Sequence, residues 1–106
     1  MPEEALLVLS TFADAATARH AAYKLVEEHL AACANLVPQI ESIYRWQGNI
    51  ESSPEVLVIF KTTHGRYQQL ENRLRELHPY EVPEIVMFQI RDGLPAYLNW
   101  IVESCR

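Results

Sequence analysis

Residues 36–62 read LVPQIESIYRWQGNIESSPEVLVIFKT, and this stretch decides the fold. Gly48-Asn49 is a hairpin turn signal, because both residues tolerate positive φ. Before the turn, Leu36 to Gln47 alternates in part, with Ile40, Tyr44 and Trp46 on one face and Ile43 on the other. After it the chain returns from Ile50 to Thr62, and Val56-Leu57-Val58-Ile59-Phe60 is apolar at every position. Pro38 cannot donate a ladder bond, so a bulge or an edge is expected near the start of the first strand. Ser52-Ser53-Pro54 is expected to interrupt the second. Two antiparallel strands therefore adjoin in mid-chain.

Helices flank this hairpin. Upstream, Ala5 to Phe12 (ALLVLSTF) reads as a strand. Asp14 stands at an N-cap position, and Ala18, Ala22, Leu25 and Val26 recur at helical spacing, which predicts a helix to about Leu30–Ala32. Downstream, Thr63 is placed to cap a second helix through Leu77, with Tyr67, Leu70, Leu74 and Leu77 as its apolar stripe and Glu71–Arg75 as an i,i+4 pair. His78-Pro79 ends it. Pro83 to Arg91 reads as a fourth strand. After an Asp92-Gly93 turn, Pro95 opens a short last helix whose stripe is Tyr97, Leu98, Ile101 and Val102. The order β-α-β-β-α-β plus a helix is the α+β, ferredoxin-like pattern: four antiparallel strands with two helices on one face. No linker or repeat divides residues 1–106, so one domain is expected.

The strands are apolar on both sides. Leu6, Val8 and Phe12 share one side of the first strand, and Leu7 and Leu9 the other; Val56–Phe60 and Ile85–Phe88 behave alike. A sheet face that meets water should alternate with polar residues. A second apolar face predicts a cover, and a homo-oligomer is the economical one. The strands of the hairpin exceed the usual length of about 5–6 residues, so its tip should project. That tip carries Tyr44, Arg45 and Trp46, types enriched in interfaces. The alternative is a hairpin bent back over its own subunit.

Composition narrows the function. The chain has 106 residues, 49% hydrophobic and 22% charged, which excludes a disordered or low-complexity protein. Its net charge of -5 speaks against nucleic acid and anionic membranes as partners. Cys33 and Cys105 are too few for a disulfide scaffold. The acidic start Met1-Pro2-Glu3-Glu4 does not look like a secretory signal, and no apolar run approaches the roughly 20 residues of a membrane span. A cytoplasmic protein is expected.

Few residues point to chemistry. There is no phosphate-cradling glycine loop, nucleophile elbow or CxxC pair. His29 and Cys33 stand i,i+4 and could share an ion if the first helix reaches them; a His at a helix end and a buried free Cys are the structural reading of the same pair. His78-Pro79-Tyr80-Glu81-Val82-Pro83 presents an imidazole, a phenol and a carboxylate on a proline-stiffened segment, which also serves as a helix stop and strand start. Lys61 ends an apolar strand and needs water, a ligand or a carboxylate, with Glu51, Glu55 and Glu81 as candidates. His20 and His64 read as surface or capping residues. An enzyme using His78 with Glu81 or Lys61 is conceivable, but no nucleophile–base pairing supports it.

Four separated motifs carry a resemblance across essentially the whole chain. Leu30-Ala31-Ala32-Cys33-Ala34-Asn35, then Ser42 to Glu51 (SIYRWQGNIE), then Lys61-Thr62-Thr63, then His78 to Ile85 (HPYEVPEI) are similar to the CutA family of divalent-cation tolerance proteins, as is Tyr97-Leu98-Asn99-Trp100-Ile101 near the end. The resemblance implies a ferredoxin-like fold assembled as a PII-like homotrimer, a link to copper and other divalent cations, and cytoplasmic residence for bacterial members. It places metal-related positions at Cys33 and His78; the carboxylate of Glu81, in the same segment as His78, is added here as a helper ligand. Ser10 and Leu77 stand where some relatives have Cys and His, so a copper site built on those two ligands is absent or weakened here. Two readings follow. In the first, a homotrimer binds a divalent metal ion, copper foremost, and contributes to metal tolerance. In the second, a PII-like trimer binds a small molecule in an intersubunit cleft lined by Tyr44, Trp46, Glu51, Lys61 and Tyr80.

Overall fold

A computed structural model describes residues 3–106; Met1 and Pro2, part of the acidic start, lie outside them. The elements are β1 (Ala5–Phe12), α1 (Ala15–Glu27), β2 (Cys33–Trp46), β3 (Asn49–Thr63), α2 (His64–Leu77), β4 (Val86–Gln89) and α3 (Pro95–Ser104). The sheet order is β2-β3-β1-β4, antiparallel at every junction. This is the expected ferredoxin-like arrangement.

One side of the sheet is the core. Val8 and Phe12 of β1 and Val56, Val58 and Phe60 of β3 pack against Ala18, Ala21, Ala22 and Leu25 of α1 and against Leu70 and Leu74 of α2. Tyr67 and Leu77, the ends of the α2 stripe, are partly buried against it. Small residues on α1 let that helix lie close, while the leucines of α2 fill the remaining volume. A smaller cluster of Ala5, Ala32, Ile101 and Cys105 docks α3.

Several boundaries depart from expectation for identifiable reasons. Asp14 does cap α1, accepting from the Thr17 amide at 2.8 Å. The helix stops at Glu27, however, not at Leu30–Ala32. His29 takes a left-handed φ of 61°, its amide bonds the Val26 carbonyl, and the Leu30 amide bonds the Leu25 carbonyl. This is a Schellman stop, closed by a residue other than glycine. It lets β2 start at Cys33 rather than Leu36 and places His29 and Cys33 off any common helix. Thr63 holds the N-cap position of α2 without a side-chain bond, and its buried hydroxyl has no partner; the His64 amide reaches the Glu4 carbonyl instead. Glu71 accepts from the Tyr67 hydroxyl, not from Arg75. Strand β4 is shorter than Pro83–Arg91, because it is an edge strand that pairs only with Leu6–Leu9.

The hairpin is long, as expected. Register slips between Val37 and Ile40, which is the bulge anticipated at Pro38. Ser52-Ser53-Pro54 does not break β3, which pairs through Pro54↔Glu41. Strand β1 ends opposite Val56, so β3 has an open side at Pro54 and tolerates the missing donor. The hairpin tip is not folded back: Ile43, Trp46 and Ile50 are exposed, and the molecule measures 47 × 25 × 22 Å. The turn residues are Gln47 and Gly48, at φ 48° and 83°, one position earlier than predicted. A left-handed conformation costs a non-glycine residue roughly 1–2 kcal/mol. Gln47→Asn is therefore expected to raise stability by up to about 1 kcal/mol in urea denaturation, with the fold unchanged.

Candidate functional site

The face of the sheet away from the helices carries Leu7, Leu9 and Thr11 of β1, opposite Lys61, Ile59 and Leu57 of β3, because directly paired residues point the same way. Cys33 and Val37 of β2, and Val86 and Phe88 of β4, extend it on either side. This face is the second apolar surface predicted for the strands. Val37, Val86 and Phe88 are exposed on it.

Where β1 ends, the same face continues into a groove. Its floor is Thr11. One wall is the projecting hairpin, with Tyr44, Trp46, Glu51, Ser53 and Glu55 on one side of the ribbon. The other wall is the loop between α2 and β4, with Tyr80, Glu81, Val82 and Glu84. The groove, open to solvent on one side, has a volume of about 530 Å³. The Tyr80 hydroxyl donates to Glu55 at 2.7 Å and ties the walls together. Burial and this bond push the Tyr80 phenol well above its ordinary range, so it stays protonated and remains a donor. The Tyr44 hydroxyl lies 3.3 Å from that of Ser53. Among the described lining residues there are four glutamates and no lysine, arginine or histidine.

Five of the anticipated residues thus meet: Tyr44, Trp46, Glu51, Tyr80 and Glu81. Within one subunit, Lys61, Cys33 and His78 do not join them. Lys61 sits at the far end of the sheet with its ammonium 5.5 Å from the centre of the Tyr97 ring. Tyr97, chiefly through its hydroxyl, raises the Lys61 pKa; none of Glu51, Glu55 and Glu81 is its partner. The Cys33 thiol is 3.9 Å from the same Tyr97 hydroxyl.

His78 lies elsewhere again, on the helix side. Its ring stacks on Phe12, centroids 4.1 Å apart. One ring nitrogen, Nε2, lies 2.8 Å from the Thr11 carbonyl, and Nδ1 accepts from the Tyr80 amide at 3.1 Å. An acceptor role at Nδ1 requires the neutral tautomer that carries its proton on Nε2, which then donates to Thr11. Both nitrogens are occupied, so His78 is not free to ligate a metal; it positions Tyr80. Cys33 pairs with Lys61, whereas Thr11 pairs with Leu57, positions roughly 13 Å apart along an extended strand. With their side chains on opposite faces, Cys33 and His78 cannot share an ion within one subunit. No three His, Cys, Asp or Glu side chains converge as a metal cage among the described residues. Ser10 is fully buried with an unpartnered hydroxyl. Glu55 and Glu84 are groove residues that sequence reasoning missed as site residues; only the spacing of Glu55 two positions beyond Ser53 on the tip face of β3 hinted at the first.

Comparison with known proteins matches the sequence and the fold to one family. The family model of the CutA1 divalent ion tolerance protein matches residues 6–104. The chain belongs to this family. A divalent-cation tolerance protein CutA of Thermus thermophilus is 47% identical over 98 residues, covering 92% of this chain and 95% of that one. The CutA protein of Salmonella newport is 43% identical over 103 residues, covering 97% and 90%. Among solved structures, CutA from Xylella fastidiosa superposes with a TM-score of 0.95 at 39% identity, covering 97% of this chain and 99% of that one. CutA1 from Oryza sativa gives 0.94 at 34% identity, covering 97% and 94%. The family ties the chain to tolerance of divalent cations.

The role of His78 has a pH signature. Burial lowers its pKa below the ordinary 6.5, against opposing contributions from the Thr11 carbonyl and the Glu55 carboxylate. The unfolded chain therefore takes up this proton at a higher pH than the folded chain. The contribution to stability is complete above the unfolded value and is lost as pH falls from there through the folded value. Urea midpoints measured from about pH 7 down to about pH 5 should decline, and His78→Gln should flatten that decline while lowering the midpoint at pH 7.

Proposed function

We propose that this protein contributes to metal tolerance by binding a divalent cation, copper foremost, as a homotrimer in the cytoplasm, and that the ion is drawn to the glutamate-lined groove. The observation that carries this reading is the charge of the groove. Glu51, Glu55, Glu81 and Glu84 line one recess without a cationic side chain among the described residues. Like charges in a recess focus a field that concentrates cations. Copper(II) heads the order of first-row divalent ions for a given set of nitrogen or oxygen donors, so it is the expected best competitor. Glu81 stays in the proposed ligand set. His78 leaves it because its nitrogens are committed, and Cys33 leaves it because the Lys61 ammonium beside it repels a cation. Three donors do not converge within one subunit among the described residues, so water or a carboxylate of a second copy completes the coordination. The apolar open face supports assembly: Leu9, Ile59, Val86 and Phe88 lie together there, and a neighbouring sheet is their natural cover.

A second reading, a small-molecule site in the same groove, is favoured by its three aromatic side chains and its size, which exceed what a bare ion uses.

Calorimetric titration of the reduced protein with copper(II), with the mass read by light scattering in the same buffer, tests the first reading. The expected results are a mass three times 12.2 kDa and binding weakened about ten-fold or more by Glu51→Gln combined with Glu81→Gln, but little changed by Cys33→Ser. A monomeric mass, or affinity unaffected by the double substitution, contradicts it.

A further inference from the structure

The walls of the groove are not those of a metal site alone. At about 530 Å³ it falls within the range of pockets that hold small organic ligands, roughly 300–1,000 Å³. Tyr44, Trp46 and Tyr80 line it together with the glutamates, and in the single subunit Tyr44 and Trp46 are 41% and 58% exposed. The carboxylates are not equivalent. Glu55 is engaged by the Tyr80 hydroxyl at 2.7 Å, while Glu51, Glu81 and Glu84 form no ion pair among the described residues.

These two features select one chemistry. A divalent ion uses converging oxygen donors, which one subunit completes only with water or a second copy, and it makes no use of the rings. A neutral aromatic molecule would use the rings but leave the carboxylates uncompensated. An alkylammonium group does both: its charge is spread over methyl or methylene groups that rest against aromatic rings, and carboxylates neutralise it. We infer that the groove is a binding site for a small organic ammonium ion, recognised by the rings of Tyr44 and Trp46 and the carboxylates of Glu51 and Glu81. Tyr80 closes the site from the loop side through its bond to Glu55. The inference rests on the groove attracting cations, as proposed above, but does not require that a metal occupy it.

Choline and its uncharged carbon isostere, 3,3-dimethyl-1-butanol, separate charge from shape. Titrated calorimetrically into the full-length protein, choline is expected to bind saturably and the isostere about ten-fold more weakly or not at all. Trp46→Leu and Glu81→Gln, both at positions exposed in the single subunit, should each weaken choline several-fold with the fold unchanged by circular dichroism. Equal binding of the two probes, choline affinity untouched by both substitutions, or no saturable choline binding at millimolar concentration overturns the inference. Copper(II) titrated into the same preparation keeps the two proposals apart. Choline binding without copper binding leaves this one standing and removes the other, and copper binding without choline binding does the reverse.

Discussion

The mismatch in length between β1 and its neighbour β3 governs the rest of the structure. Strand β1 has 8 residues and β3 has 15, and pairing between them ends at Phe12↔Val56. Past that point β3 has only β2 beside it. The ribbon must leave the sheet as an arm, with side chains on both faces and no layer of helices to bury them. The end of β1 becomes the floor of a recess rather than the middle of a sheet. The chain returning from α2 to β4 crosses this same end, and its Tyr80 reaches Glu55 at the root of the arm. A single shortfall in strand length thus creates the groove and its hairpin wall, beside an apolar face that the paired strands themselves present.

His78 couples that groove to the core. The imidazole stacks on Phe12, itself fully buried among the residues that α1 and α2 cover. Its two nitrogens hold the Thr11 carbonyl and the Tyr80 amide, one from the floor and one from the wall. Burying a neutral imidazole with both nitrogens satisfied costs little, whereas burying a charged one is expensive. The ring therefore works as a neutral strut. Its residue type invites a reading as a metal ligand, but its surroundings have already spent both donor and acceptor. Lys61 and Cys33 are likewise occupied at the opposite end of the sheet, around Tyr97.

The fold was largely legible in the sequence because its signals are local. Alternation, the apolar run Val56–Phe60 and the helical stripe at Leu70 and Leu74 each express one element's own burial, and Pro38 marks the bulge. Misplaced boundaries arose where tertiary structure overrides local preference. His29 adopts a conformation usually left to glycine and ends α1 early, Pro54 survives in a strand because β1 has run out, and β4 shortens because only Leu6–Leu9 face it. About half of the site was legible for the same reason. Tyr44, Trp46 and Glu51 share a ribbon face by period-two spacing, and Tyr80 and Glu81 share one short loop. The bond between Tyr80 and Glu55 spans 25 positions and has no local signature. Nor does the separation of Cys33 from His78, which follows only from strand register.

The central claim is that cations are received in the glutamate groove and not by His78 or Cys33. Anomalous diffraction at the copper absorption edge, from crystals grown with copper(II), tests it most directly. The account predicts an anomalous peak within bonding distance of a carboxylate oxygen of Glu81 or Glu51, with the His78 ring still bonded to Thr11 and Tyr80. A peak on a ring nitrogen of His78 or on the Cys33 sulfur, with the groove empty, would contradict it.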